Sequence, residues 1–347
     1  MRAADVLEVL DEEGLIRNEL IAGLLVRFRG WSTIQVGTYR VHAGMSLEEM
    51  FELFEEGSFV AVPMTYIIIP EGFTIRFIAE RFAAQSEIEV DAQYLLELWS
   101  DTAFLNELIN EFWFITDEIL NPDLYHPLEG YFYPIRHEIP VGLTDPREMT
   151  RVMLQMTERR LRDTGLQAEI QASEHTFHEI LALAAIVEAE TQEVVDMSAV
   201  AGVYWNRINR PYYAGTQGLL NADPTVVYAY IEAGGEHRTV VTNDMTQGTI
   251  SPFNTYLNAG SPPGPVNSPS EHAIRAVINP SEHNYFFFMS DMYGCHVEEG
   301  SDAEYSDPGR KIFAVFLWEH DLNVERYLNP SNYAGRSLCN PHVQIAN

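Results

Sequence analysis

Two carboxylates, Glu188 and Glu190, close an otherwise apolar run, LALAAIVEAETQ (Leu181–Gln192). At about 100° per residue in a helix, Leu183, Ile186, Val187, Glu190, Val194 and Met197 fall on one face. Glu188 points roughly 160° away from Glu190, beside Ala184, Ala185 and Gln192, so the two carboxylates do not share a cleft. Glu190 is then a charge set in an apolar stripe. Such a group must be paired, protonated, or placed in a cleft with apolar walls. Desolvation raises a carboxyl pKa, and an acid kept protonated near neutral pH can protonate a leaving oxygen. Glycan-cleaving enzymes hold a glutamic acid at the glycosidic bond in this way. The plainer alternative is a structural Glu190 paired with a buried arginine such as Arg207.

Other polar residues lie in readable patterns. The loop SPFNTYLNAGSPPGP offers Ser251, Asn254 and Tyr256 as hydrogen-bonding and stacking groups, among prolines that restrict the loop before it binds anything. Amide, hydroxyl and aromatic side chains suit a groove for acetylated sugars, and equally a rigid turn. Asn206 and Asp223 either steer Glu190 or cap helices, and Asp223 before Pro224 suits an N-cap. EHTFHE puts His175 and His178 three apart, flanked by Glu174 and Glu179. It is not HExxH and has no third ligand, so no metal and no cofactor is expected.

The elements that must position these groups follow from patterning. The chain has 347 residues, 46% of them hydrophobic, enough for two domains or one large one with an appendage. Lys and Arg total 21 against 51 Asp and Glu, a formal charge of −30. That surface repels phosphates and anionic lipid, so neither nucleic acid nor a charged membrane surface is an expected partner. No stretch approaches the ~20 apolar residues that span a bilayer, and the N-terminus lacks a signal-peptide core. The two cysteines, Cys295 and Cys339, have no zinc-ligand spacing; they are two thiols or one disulfide.

Residues 1–85 alternate helices with short strands. AADVLEVLDEEG and SLEEMFELFEEG are helical, each closed by a C-capping glycine; TIQVGTYRV and MTYIIIP are strands. Residues 86–165 are mostly helical around the proline- and aromatic-rich loop NPDLYHPLEGYFYPIRHEIPVG. A long helical stretch follows from about 170, and the chain ends with strand-like NYFFFMSD and helical AVFLWEHDLNVERYL. The expected class is α+β.

In order along the chain come AAIVEAET, VAGVYWNRI, NADPTVVYAY, SPFNTY, GSPPGPVNSPS and INP, then YFFFMSD followed by GCH. With these motifs the sequence resembles the YceG-like endolytic murein transglycosylases, the MltG family. GTYRVHAGMSLEEM and IPEGFTIRFIAERF resemble that family's LysM-like module, and LEGYFYP its aromatic-proline segment. The resemblance implies a LysM-like module over 1–85 and a catalytic domain over 86–347, with 86–165 as its lead-in. It also implies cleavage of the β-1,4 bond between N-acetylmuramic acid and N-acetylglucosamine within peptidoglycan strands. The family's catalytic glutamate falls on Glu190. It would protonate the leaving oxygen, then act as base towards the muramoyl 6-hydroxyl, closing a 1,6-anhydro end. Glu188 would orient the helix or a loop. Asn206, Asn221, Ser251, Asn254, Tyr256 and His296 would contact substrate, with Asp223 and Thr225 in support.

Some positions depart from the family pattern. Asn221–Ala222 replaces its usual Gln and Ser or Thr, Ile135 follows Pro134 where Asp is usual, and Cys295 stands where a glycine usually precedes His296. The family is tethered by an N-terminal membrane helix. The expectation is therefore a membrane-spanning segment upstream of residue 1 and a chain on the extracytoplasmic face. Partners would be peptidoglycan strands and, beyond them, cell wall synthesis or division proteins. A hydrolytic muramidase and a non-catalytic glycan-binding scaffold are the competing readings.

Overall fold

The computed structural model describes residues 3–12, 15–16, 19–31, 34, 35, 37, 39, 41, 45–57, 64–85, 90–236, 238, 240–291 and 309–328. They form two compact units, divided after Thr65. This division lies earlier than the boundary expected near residue 85.

The first unit holds α1 (Ala3–Glu12), α2 (Glu19–Arg29) and α3 (Leu47–Glu56). Ser46 starts α3 with a capping box: its hydroxyl accepts from the Glu49 N–H, and the Glu49 carboxylate accepts from the Ser46 N–H at 2.7 Å. Gly57 ends the helix at φ 70°, a conformation glycine adopts without strain. Leu7, Leu10, Val26, Met50 and Phe54 bury one side of each helix, with Trp31 stacked on Phe51 at 5.2 Å. Of the strand expected over Thr33–Val41, the described residues carry no strand assignment, and Gly14, the expected cap of α1, lies outside them.

The second unit begins in β1 (Met64–Ile68), where buried Ile67 alternates with exposed Tyr66 and Ile68. Then come α4 (Ile75–Ala83), α5 (Ala92–Leu98), α6 (Thr102–Glu111), a 3-10 turn at Asp117–Leu120 and β2 (Arg136–Pro140). β2 pairs with β1 and lies inside what the sequence gives as a loop. Next are α7 (Pro146–Asp163), α8 (Leu166–Ala172), α9 (Phe177–Glu190), α10 (Val194–Asn209), α11 (Asp223–Glu232), α12 (Asn243–Gly248) and α13 (Glu271–Ile278). The chain closes with β3 (Phe287–Ser290), β4 (Lys311–Ala314) and α14 (Leu317–Leu328). β3 and β4 are antiparallel, with Ser290 opposite Lys311. The class is α+β.

α9 is the axis of this unit, packed by α10, α11 and α13. Thr176 and Glu179 form its capping box. Ala and Leu, strong helix formers, fill its interior, and every residue from Ile180 to Val187 is buried. At ~1.5–3 kcal/mol per buried aliphatic side chain, such a helix is held by packing all round. This corrects the single-face expectation. The helix stops at Glu190, Thr191 is extended (φ −150°), and a new helix starts at Val194. Val194 and Met197 therefore belong to a different element, and Val194 is exposed. Glu190 stands out because it ends a buried helix.

Three tethers set the walls around that end. Gly72 N–H donates to the Ser268 carbonyl at 2.8 Å and Ser268 N–H to the Phe73 carbonyl at 2.9 Å. The amide of Asn267 donates to the Ala185 carbonyl of α9 at 2.9 Å. The buried Glu129 accepts from the Ile75 N–H at 2.8 Å, where α4 begins, with the Tyr228 hydroxyl of α11 3.3 Å from its other oxygen.

Burial pushes the Glu129 carboxyl up to about 8, against the opposing hydrogen bonds from Ile75 and Tyr228. The folded protein therefore keeps a proton here that the unfolded chain releases above its ordinary value of 4.5. The stabilisation is complete below that value and is lost as pH rises through the folded one. Denaturant titrations should show stability falling by up to ~1.4 kcal/mol per pH unit between pH 5 and 8. Glu129→Gln, which keeps an acceptor and cannot ionise, should flatten the slope. An unchanged slope in the variant rules out this origin.

Candidate active site

Glu190, at the C-terminal end of α9, opens onto a cavity of about 530 Å³. Gly72, Thr74 and Arg76 form one wall, Asp223, Val227 and Tyr228 of α11 another, and Val266 and Asn267 a third. Glu190 is half-buried where it lines this cavity. Burial pushes its pKa above the usual carboxylate range, and the neighbouring Asp223 adds to the rise. Lys311, a hydrogen bond from the Tyr204 hydroxyl, and Arg207 pull it back without cancelling the shift. The group is thus poised to hold a proton and then release it.

The positive neighbours are themselves fixed. Arg207 is buried, donating through Nε to the Phe286 carbonyl at 2.7 Å and through Nη1 to the Leu220 carbonyl. It is not ion-paired with Glu190 among the described residues. Lys311 donates to Ser290 Oγ at 2.7 Å, and burial lowers its pKa. β4 is pinned beside α10 because Asp196 accepts from the Lys311 N–H at 2.9 Å and from Arg310 Nε at 3.0 Å.

Asp223 does not cap α11. The N-cap position is Ala222, and Asp223 instead accepts from the Tyr256 hydroxyl at 2.6 Å. It faces the same cavity as Glu190. The helical-face argument provides no second carboxylate at this site; the tertiary fold does.

The structure brings together Glu190, Asp223 and Tyr256, while Asn221 is exposed in a left-handed conformation (φ 47°) two residues before Asp223. Among the described residues it does not bring the other expected contacts to the cavity. Asn254 is wholly buried, its amide donating to the Thr246 and Thr249 carbonyls. Ser251 is buried against Tyr125, and Thr225 bonds Ala222 and Thr255. These three shape the loop, and buried polar groups that are fully bonded inside have no capacity left for a ligand. Asn206 ties α10 to the carbonyls of His283 and Tyr285, both at 2.9 Å. Glu188 accepts from the Ser270 N–H at 3.0 Å, so it orients the loop before α13. His296, Cys295 and Cys339 lie outside the described residues.

His178 has both ring nitrogens engaged, with Tyr131 and the Pro263 carbonyl, and His175 stacks on Trp205. Among the described residues no group of three or more His, Cys, Asp or Glu could hold a metal ion. Nor is any helix there long and apolar enough to cross a membrane.

Sequence reasoning missed Tyr204, Lys311, Arg76, Tyr228 and Glu232. Tyr204 and Arg76 sit inside recognisable motifs with no spacing that ties them to Glu190. Lys311 gives no local signal.

Comparison with known proteins gives relatives of the chain as a whole. The chain is 26% identical over 329 residues to the endolytic murein transglycosylase of Bacillus subtilis, covering 94% of this chain and 82% of that protein. It is 24% identical to the endolytic murein transglycosylase of Streptococcus pneumoniae D39, of which it spans 55%. A solved yceG-like protein from Listeria monocytogenes matches with a TM-score of 0.61 at 26% identity, covering 92% of this chain and 94% of that one. The model of the YceG-like family matches residues 1–326, and the chain therefore belongs to the YceG-like family.

Proposed function

We propose that the chain is an endolytic murein transglycosylase. It cuts the bond between N-acetylmuramic acid and N-acetylglucosamine inside peptidoglycan strands and leaves 1,6-anhydro ends. The observation that carries the reading is Glu190, a carboxyl of raised pKa opening onto a cavity wide enough for a sugar unit. Glu190 gives its proton to the leaving oxygen, and the resulting carboxylate takes one from the muramoyl 6-hydroxyl as that oxygen closes on C1. The Tyr204 hydrogen bond and Lys311 steady the carboxylate between the two transfers. Tyr256 is held against Asp223 and offers a face to the sugar. The enzyme works where peptidoglycan lies, outside the cytoplasm.

Asp223 in the same cavity favours one second reading, a hydrolytic muramidase, since a carboxylate opposite the acid can activate water. Digesting purified strands in oxygen-18 water separates the two. Transglycosylation gives unlabelled ends lighter by one water, from internal cuts. Labelled reducing ends would establish the muramidase instead.

The LysM-like module over 1–85, the catalytic domain over 86–347 and a membrane tether upstream of residue 1 are proposed on the family resemblance. Sequence of the gene upstream of the Met1 codon tests the tether, and an in-frame stop directly before that codon excludes it.

A further inference from the structure

Arg76 is the one basic residue lining the Glu190 cavity among the described residues. It stands in the first turn of α4, its side chain 47% exposed. Only its Nη2 is bonded there, donating to Glu232 Oε2 at 2.7 Å. The same carboxylate oxygen meets His126 Nε2 at 3.1 Å, and the Glu232 side chain is itself buried. Burial would raise the Glu232 carboxyl, but the hydrogen bonds from His126 and Arg76 outweigh it and leave it below the usual range. Glu232 therefore stays ionised as a mount for the guanidinium. The remaining Arg76 N–H groups are left to a ligand in the cavity.

This placement is unusual on so acidic a chain. The formal charge is −30, and the cavity itself carries Glu190, Asp223 and Glu232. An anionic ligand entering such a site meets like charge unless a cation receives it. A planar guanidinium fixed along one edge presents its other donors in the geometry that carboxylates match. A surface ion pair serving stability alone gains little from being aimed into a cleft.

We propose that Arg76, held on its Glu232–His126 mount, receives a carboxylate of the stem peptide, so that peptide-bearing strands are cut in preference to bare glycan. This rests on the reading of the chain as a peptidoglycan-cleaving enzyme. The chemistry of the polymer supports the assignment: the glycan backbone carries no anion where the lactyl group is amide-linked. The peptide hangs from the same muramic acid whose glycosidic bond breaks, within reach of the cavity.

The test compares purified strands with stem peptides intact against strands stripped of peptide by an amidase and then capped as methylamides at the freed lactyl carboxylates, using the full chain. For the wild type, kcat/KM should be about tenfold higher on intact strands. Arg76→Gln should bring intact strands down towards the stripped rate and slow stripped strands far less, with most of the loss in KM. Arg76→Lys, which keeps the charge but not the fork, should recover part of the preference. Equal cleavage of both strands by the wild type, or equal slowing of both by Arg76→Gln, overturns the inference. If the wild type cuts neither, the activity reading fails, and calorimetry with free stem tetrapeptide decides. Binding to wild type and not to Arg76→Gln supports the site; no binding sinks it.

Discussion

Replacing Glu190 with Gln is expected to cost about 10³-fold or more in cleavage rate with the fold intact, because the amide occupies the same volume but cannot donate a proton as an acid. The wild-type rate should fall as pH rises through the elevated Glu190 pKa, since the first step needs the protonated form. Glu188→Gln makes the comparison informative. Its carboxylate bonds a backbone N–H at Ser270, and an amide oxygen still accepts there, so a few-fold loss is expected. Cleavage assays on purified strands read both. Should Glu188→Gln prove the dead variant and Glu190→Gln the active one, the acid has been misassigned.

Gly130→Ala is expected to destabilise the larger unit by about 2–4 kcal/mol. Gly130 has φ +78°, and an added Cβ would lie 2.8 Å from Pro265 Cβ and 3.1 Å from the Asn267 carbonyl oxygen. Both backbone strain and steric overlap are imposed, and the overlap pushes on the wall that carries Val266 and Asn267. Activity should therefore drop even at temperatures where the variant is folded. Gly142→Ala is the control: φ is +89° but nothing lies within 4 Å of the new Cβ, so only the backbone cost of about 1 kcal/mol remains. Paired thermal melts decide. Equal shifts for the two variants would mean that the contact with Pro265 yields freely.

How much of this was legible in sequence differs residue by residue. Glu190 was, because a charge on the helical face of Leu183, Ile186 and Val187 is conspicuous. The reason inferred for it was not right, since neither glycine nor proline marks the stop at Thr191 and the helical pattern reads straight on into α10. Asn254 illustrates the reverse. Its motif signalled importance, but burial decides whether an amide meets a ligand or its own loop, and burial is a property of the assembled fold. Arg76 and Glu232 are 156 residues apart and meet only once α4 and α11 both line the cavity. No spacing rule reaches that far. β2 and β4 are short, and neither has enough alternation to announce itself. Of the first unit, α1 and α3 were readable because each carries a broad apolar stripe and, in α3, a capping box, whereas α2 was not read as a helix.

The end of α9 at Glu190 has one more effect. Peptide dipoles along a helix sum to a partial negative charge at its C-terminus, and a carboxylate placed there is disfavoured relative to the neutral acid. The preceding thirteen residues thus act on Glu190 through their main chain, in the same direction as burial. That contribution depends on where the helix stops and hardly at all on which side chains build it. The side chains of α9 can therefore be exchanged widely while this part of the rise in the Glu190 pKa is kept.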